Sequence, residues 1–150
     1  MDSSDFSNFA ALSAISGILL VGFLILLIPL IFFLLTLQKA LTRVAPERRT
    51  MNPPMVWLDL IPLFGIVWNF IMVTALSKSL GAELTARNIP HENEPGKTIG
   101  LVWASLSAAC LIPGLSLLLG IPVLILWILY WVKIAGFSAK IADPGAFNRP

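Results

Sequence analysis

The sequence predicts an all-α membrane protein of four transmembrane helices, arranged as two hairpins. Of its 150 residues, 57% are hydrophobic and 12% are charged, whereas a soluble domain has about 25% charged residues. The charges are also bunched, because residues 6–38, 60–77 and 98–132 contain none. Uncharged apolar runs of about 18 residues or more are typical of membrane-spanning helices. Residues 1–150 are therefore predicted to form a single transmembrane domain.

The four predicted spans cover residues 9–38, 55–76, 98–118 and 121–142. The first would measure about 45 Å as a helix, against a hydrocarbon core of about 30 Å. We therefore expect tilt, protruding ends or a kink at Pro29. An acidic start and a long apolar run do not suit a cleavable signal peptide, so this span is predicted to be retained.

The second span is expected to begin after the Asn52–Pro54 segment, because proline lacks an amide proton and suits a first helical turn. Helical character is expected to continue beyond this span, to the break at Asn88–Pro90. The uncharged segment 112–122 contains two prolines and two glycines. A tight turn at the membrane surface is favoured there over a segment that dips into the bilayer against protein.

The second and fourth spans resemble each other, which raises the possibility of a parallel internal repeat. Residues 69–73 align with residues 130–134, and small or apolar residues continue the match towards Leu80 and Ile141. The first and third spans match poorly, so the similarity could also reflect convergent chemistry at helix ends. The sequence leaves both interpretations open.

The positive-inside rule gives no single orientation for this chain. The acidic amino terminus and the basic loop 39–54 favour termini outside, and this is the orientation that we prefer. In a four-span topology, however, several later basic residues would share the side of the termini. They are Lys78, Arg87, Lys97, Lys140 and Arg149.

Two polar residues of the second span form a possible intramembrane site. Asp59 is the one acidic residue inside a predicted span, and Asn69 lies about 15 Å further along the helix. Intramembrane carboxylates often mark proton or cation paths. The structural alternatives are that the helix dipole stabilises Asp59 and that Asn69 hydrogen-bonds a neighbouring helix. We favour these structural roles.

Small residues predict where helices pack closely. Gly100, Ala104 and Ala108 lie four apart in the third span, and the first span has its own small residues at positions 10, 13, 14 and 17. Such spacing allows close helix approach in membranes. The predicted interface anchors are Trp57, Trp103 and Trp131, with Lys133 extending its ammonium group to the interface.

The sequence contains no nucleophile–base pair, metal-ligand cluster or phosphate-binding loop, so neither an enzyme nor a cofactor is predicted. Its formal charge of +2 is not gathered into a basic stripe, which argues against nucleic-acid binding. Lone His91 and Cys110 are interpreted as a loop residue and a packing residue. The expected partners are membrane lipid and other membrane-protein subunits or further copies of the chain.

Two pieces of the chain, VWLDLIPLFGIVWNFIMVTALSKSL and LILWILYWVKIAGFSAKI, carry a family resemblance. They are similar to the uncharacterised small four-span membrane proteins widespread in bacteria, which share a VWLxLIPLF opening and a YWVKIAG(F/Y)S ending. The resemblance implies a four-span fold in the bacterial cytoplasmic (inner) membrane. It implies no activity and no site residues.

Two classes of function follow from these features. The first is a structural or accessory subunit that packs against other membrane proteins. The alternative is a small homo-oligomeric channel or transporter for a cation or proton, lined by Asp59 and Asn69. A lipid-modifying enzyme built on Asp59 and nearby arginines ranks last.

Overall fold

The computed structural model describes residues 3–143, with the side chains of residues 8–25 and 27–143. The four α-helices are α1 (Ser3–Arg43), α2 (Phe64–Ala86), α3 (Lys97–Ala109) and α4 (Leu115–Ala142), and Pro46–Arg48 and Pro53–Leu60 form short 3₁₀ helices. The described residues contain no strand, so the predicted all-α class is confirmed. The predicted polar tail beyond residue 143, with Arg149, lies outside the described residues.

Three of the described helices are long and apolar enough to cross a membrane: Asn8–Arg43 within α1, then α2 and α4. By contrast, α3 has 13 residues and measures about 20 Å at 1.5 Å per residue. Length and composition therefore make three of the described helices candidates for crossing a membrane, and the four predicted spans stay a prediction.

The boundaries of the second and fourth spans differ from those predicted. α2 begins at Phe64 rather than Met55 and continues to Ala86, so its helical end includes the segment expected to extend beyond the membrane. Pro53–Leu60 forms a separate 3₁₀ helix because the chain reverses after it, with Leu63 at a φ of 64°. In the fourth span, α4 already begins at Leu115, and Pro122 lies inside it.

The chain divides into two compact units, Met1–Phe33 and Leu34–Pro150. In the first unit, every residue from 8 to 25 is exposed. The Ser13 and Ser16 hydroxyls donate hydrogen bonds of 2.8 Å to the carbonyls of Ala10 and Leu12. Their polar groups are thereby satisfied within the helix, which suits a surface that faces lipid.

The second unit contains a first hairpin, formed by the 3₁₀ helix Pro53–Leu60 and by α2. Its turn is held by hydrogen bonds from Phe64 N to Pro62 O and from Gly65 N to Ile61 O. Further from the turn, the Trp68 indole donates to Met55 O at 2.9 Å, and Thr50 N donates to Ser79 Oγ at 3.0 Å. The 3₁₀ helix therefore runs antiparallel to α2, along its first half.

A second hairpin is formed by α3 and α4, which are joined by the turn at residues 110–114. Gly114 has a φ of 89°, a conformation that glycine adopts without steric cost. The Trp103 and Tyr130 rings stack with centroids 5.8 Å apart. A Cβ on Gly96, at the other end of α3, would meet Ile134 of α4. These contacts make the second hairpin antiparallel.

Both hairpins open towards the same end of the second unit. The guanidinium Nη1 of Arg87, just after α2, donates to the carbonyl of Ile141 near the end of α4 at 2.9 Å. Arg43 Nη1 at the end of α1 donates to Ser138 O at 2.8 Å. We call this end the charged end.

The two hairpin turns lie at the opposite end of the second unit, at similar distances from the contact between α2 and α3. Gly100 of α3 packs against Val73 of α2, since a Cβ on Gly100 would lie 2.5 Å from Val73 Cγ1. From that contact, Phe64 and Ala109 are each nine residues away, which is about 14 Å along either helix. The second unit thus has two apolar turns at one end and, apart from Asp59 beside the first turn, its charged residues at or towards the other end.

The structure places the basic residues differently from the predicted topology. Four successive crossings would place the loop 39–54 and the later basic residues on opposite sides of the membrane. The contacts of Arg43 and Arg87 instead bring the loop and the ends of α2 and α4 together. The predicted second span is the reason for the difference. The 3₁₀ helix Pro53–Leu60 leads away from the charged end, and α2 leads back to it.

The core of the second unit lies nearer to the charged end. Its fully buried apolar side chains follow three-four spacing on three helices: Leu34, Leu37 and Leu41 on α1, Met72, Val73, Leu76, Leu80 and Leu84 on α2, and Tyr130 and Ile134 on α4. Towards the turns, large apolar side chains such as Leu63, Val67 and Leu118 are exposed. α2 and α4 run parallel, each preceded by a shorter arm, but the internal repeat itself stays a prediction.

Candidate functional site at the charged end

A buried carboxylate organises the charged end. The Glu83 side chain is 1% exposed. It accepts hydrogen bonds from Arg87 Nε at 2.6 Å, from Arg48 Nη1 at 3.1 Å and from the backbone N–H of Ala45 at 3.1 Å. We call these groups the Glu83 cluster. They tie the loop after α1 to the end of α2, and Arg87 continues the connection to α4.

The loop after α1 is fixed by two further side chains. Arg49 folds back and donates to the carbonyls of Val44 and Thr42 at 2.8 and 2.9 Å. The Thr50 hydroxyl donates to Ala75 O at 2.8 Å and lies 3.0 Å from Ser79 Oγ. The loop that precedes the first hairpin is thus held to α2 by backbone and side-chain hydrogen bonds.

Lys133 joins α4 to the loop before α3. Its ammonium group lies 2.8 Å from a carboxylate oxygen of Glu92, and Glu92 also accepts a 2.7 Å hydrogen bond from the backbone of Gly96. The Lys133 ammonium group, by hydrogen-bonding the carboxylate, holds the pKa of Glu92 below its usual value of 4.5. Lys133 therefore has a partner within the chain, in addition to the interfacial role predicted for it.

Asp59 and Asn69 belong to the first hairpin, in the half that contains its turn. Asp59 lies in the 3₁₀ helix close to the turn, and a Cβ on Gly65 would overlap its carbonyl oxygen. Asp59 Oδ1, Asn69 Oδ1 and Ser77 Oγ are buried and make no hydrogen bond within the part of the chain that the structure describes. Asn69 and Ser77 share a face of α2, since they lie eight residues apart.

The predicted packing residues line α3 unequally. Gly100 and Ala104 are buried, and Ala108 is half-buried. A Cβ on Gly100 would lie 2.8 Å from a ring carbon of Tyr130 as well as close to Val73. Gly100 therefore sits where α2, α3 and α4 meet, and larger residues would separate these helices.

The predicted tryptophan anchors differ in their surroundings. The Trp57 and Trp131 indoles donate to Gln38 and Thr36 of α1 at 2.7 and 2.9 Å. Trp103 is 7% exposed and stacks on Tyr130, so it is a core residue. The structure thus gives Trp103 a packing role against α4, and its role as an interfacial anchor stays a prediction.

A groove lies on the surface of α2, between the charged end and the hairpin turn. Its volume is about 440 Å³, and it is lined by Thr50, Phe70, Ile71, Thr74, Ala75 and Lys78. A second groove of about 320 Å³ is lined by Leu35, Gln38, Lys39 and Thr42. The first groove combines apolar and small side chains with Lys78, whereas the second combines Leu35 with the polar Gln38 and Thr42 beside Lys39.

Within the described residues, no group of three or more His, Cys, Asp or Glu side chains could hold a metal ion. No family model, curated protein or solved structure matches the chain.

The sequence did not single out Glu83. A glutamate in a polar helical extension is normally a solvated residue, and three-dimensional contact with Arg48 is needed to reveal its role. A signal was present, however. Glu83 directly precedes Leu84 of the Leu76, Leu80, Leu84 stripe, and residues beside a buried stripe share part of its face.

We expect Glu83→Ala to destabilise the protein by about 1–3 kcal/mol, because it leaves the Ala45 N–H and two guanidinium groups without their acceptor. Glu47→Ala is the matched control. Glu47 is 67% exposed and lies 3.8 Å from Arg48, so its loss should change stability by less than about 0.5 kcal/mol. Thermal unfolding of the detergent-solubilised chain would measure both. Equal effects of the two substitutions would contradict a structural role for the Glu83 cluster.

Proposed function

We propose that this chain is a structural or accessory subunit of the bacterial cytoplasmic membrane that packs against other membrane proteins and has no catalysis of its own. The observation that carries the proposal is the exposure of residues 8–25 of α1 on every side. This segment includes Ala10, Ser13, Ala14 and Gly17 on one face. Small residues so spaced let a second helix approach closely in a membrane.

The membrane arrangement that we propose has α1 crossing the bilayer and both hairpins entering from the charged end. Pro53–Leu60 has eight residues and α3 has 13. They measure about 16 and 20 Å, which is short of a hydrocarbon core of about 30 Å. Neither turn, at residues 61–63 and 110–114, contains a charged residue. The longer arms, α2 and α4, are long enough to cross, but the polar loops that precede the short arms limit how deep each turn can lie. Apolar turns on short arms therefore favour hairpins that remain inside the bilayer.

The charge distribution supports a cytoplasmic location for the charged end. Basic residues are absent from residues 8–38, 52–77 and 98–132, which include both turns and most of α1. Those of the second unit lie at or near the charged end. Lysine and arginine are enriched on the cytoplasmic side of membrane proteins. With a re-entrant first hairpin, the conflict between the early and late basic residues disappears.

The partner-binding face of α1 can be tested by enlarging one glycine. Gly17→Leu should displace a partner helix, and it creates no clash with other parts of the described chain, because nothing beyond the local helix backbone lies within 4 Å of a Cβ at this position. Gly22 is equally open but lies on a different face, so Gly22→Leu is the matched control. Blue-native electrophoresis of gently solubilised membranes should show the complex lost with Gly17→Leu alone.

Two results would contradict the accessory-subunit proposal. One is a wild-type chain that migrates as a single 16.3 kDa polypeptide without any other protein. The other is a complex that withstands Gly17→Leu as well as it withstands Gly22→Leu.

A second candidate function is a homo-oligomeric channel or transporter for a cation or proton. It is favoured by the buried oxygens of Asp59 and Asn69, which lack hydrogen-bond partners among the described residues. Buried polar groups are normally paired or bound to water, and intramembrane carboxylates often mark ion paths. An oligomer would be needed, because the chain has too few helices to enclose a pore alone.

For this candidate, Asp59→Asn should abolish most of the cation or proton flux of the reconstituted protein, because it removes the intramembrane charge. Glu47→Gln removes a surface carboxylate and should leave the flux unchanged. Flux in liposomes containing each variant is the measurement. Equal flux through wild type and Asp59→Asn would contradict the channel.

A further inference from the structure

The groove beside Lys78 combines one cation with an apolar floor. Lys78 is exposed, and no ion pair or hydrogen bond of its side chain occurs among the described residues. The other polar side chains of the groove are already committed as donors. Thr50 donates its hydroxyl to Ala75 O, and Thr74 donates its hydroxyl to Phe70 O, both at 2.8 Å.

The small number of free hydrogen-bond donors in the groove limits the kind of ligand that it can bind. A polar metabolite or an extended peptide would need several hydrogen-bonding groups, but the groove lining offers the Lys78 ammonium group as its one uncommitted side-chain donor. The remaining floor is formed by Phe70, Ile71 and Ala75. The complementary ligand is an amphiphile with one anionic group at the Lys78 end and an apolar chain.

The dimensions fit one leaflet of a bilayer. From Lys78, the exposed apolar side chains of Ile71 and Val67 continue along α2 towards the hairpin turn. Lys78 and Val67 are 11 residues apart, about 16 Å along the helix. Half of a hydrocarbon core is about 15 Å, so the apolar track is as long as the acyl region of one leaflet.

We propose that the Lys78 groove binds an anionic phospholipid, with the phosphate at the Lys78 ammonium group and an acyl chain along Phe70, Ile71 and Val67. Ammonium–phosphate contact is a charge-assisted hydrogen bond. The bonds of Thr50 to Ala75 and Ser79 hold the nearby loop against α2, so this side of the groove is formed by the protein's own contacts. The inference rests on insertion in a bilayer and is independent of any protein partner.

The test is native mass spectrometry of the full chain in mild detergent, titrated with dioleoyl phosphatidylglycerol or dioleoyl phosphatidylcholine. The wild type should prefer the anionic lipid. Lys78→Gln should weaken binding of phosphatidylglycerol about fivefold, as expected for one lysine at a membrane surface, and leave binding of phosphatidylcholine unchanged. Lys78→Arg should restore the preference, because it restores the cation.

Lys97→Gln is the matched control for net charge. Lys97 is paired with Glu94 at 2.6 Å and lies outside the groove, so its neutralisation should not alter the lipid preference. Equal loss with Lys97→Gln would show that overall charge, and not the groove, selects the lipid. Unchanged phosphatidylglycerol binding by Lys78→Gln, or equal wild-type affinity for both lipids, would also overturn the proposal.

Discussion

The structure of the second unit depends on one buried carboxylate, Glu83, that joins the loop after α1 to the end of α2. Glu83 is removed from solvent, and a buried charge is costly unless it is paired and hydrogen-bonded. Arg48, Arg87 and the Ala45 amide supply that pairing from the loop after α1 and from the end of α2. Satisfying Glu83 therefore requires the loop after α1 and the end of α2 to meet, and a further bond of Arg87 brings the end of α4 to the same place.

This constraint accounts for the hairpin architecture. A chain whose loop and helix ends must meet cannot place α2 as a simple crossing after that loop. It enters along Pro53–Leu60, turns at an apolar bend and returns through α2. The same geometry gathers the basic residues at the charged end and leaves apolar surface around both turns. That surface is where a bilayer, or a partner within it, would be expected to contact the protein.

The all-helical class and the long apolar helices could be predicted, because they follow from hydrophobicity and length alone. The direction of the second span could not. Met55–Leu76 is predominantly apolar, and Pro62 alone does not distinguish a kinked helix from a reversal of the chain. The reversal depends on Leu63, whose φ of 64° is not predicted by its residue type. Glu83 was missed for a related reason, since its partners Arg48 and Ala45 are distant in sequence. The small residue at Gly100 did signal close packing, whereas the burial of Trp103 depended on the direction in which α3 faces.

The most direct test of the proposed membrane arrangement, in which both hairpins enter from the charged end, is thiol accessibility in intact cells and in inverted membrane vesicles. Cys110, the single cysteine of the sequence, lies at the start of the α3–α4 turn. It should resist a membrane-impermeant maleimide from both sides. A cysteine introduced by Asn93→Cys, in a Cys110→Ser background, should react from the cytoplasmic side only. Labelling of Cys110 from the outer side of intact cells would show that the turn crosses the membrane, and would contradict the account.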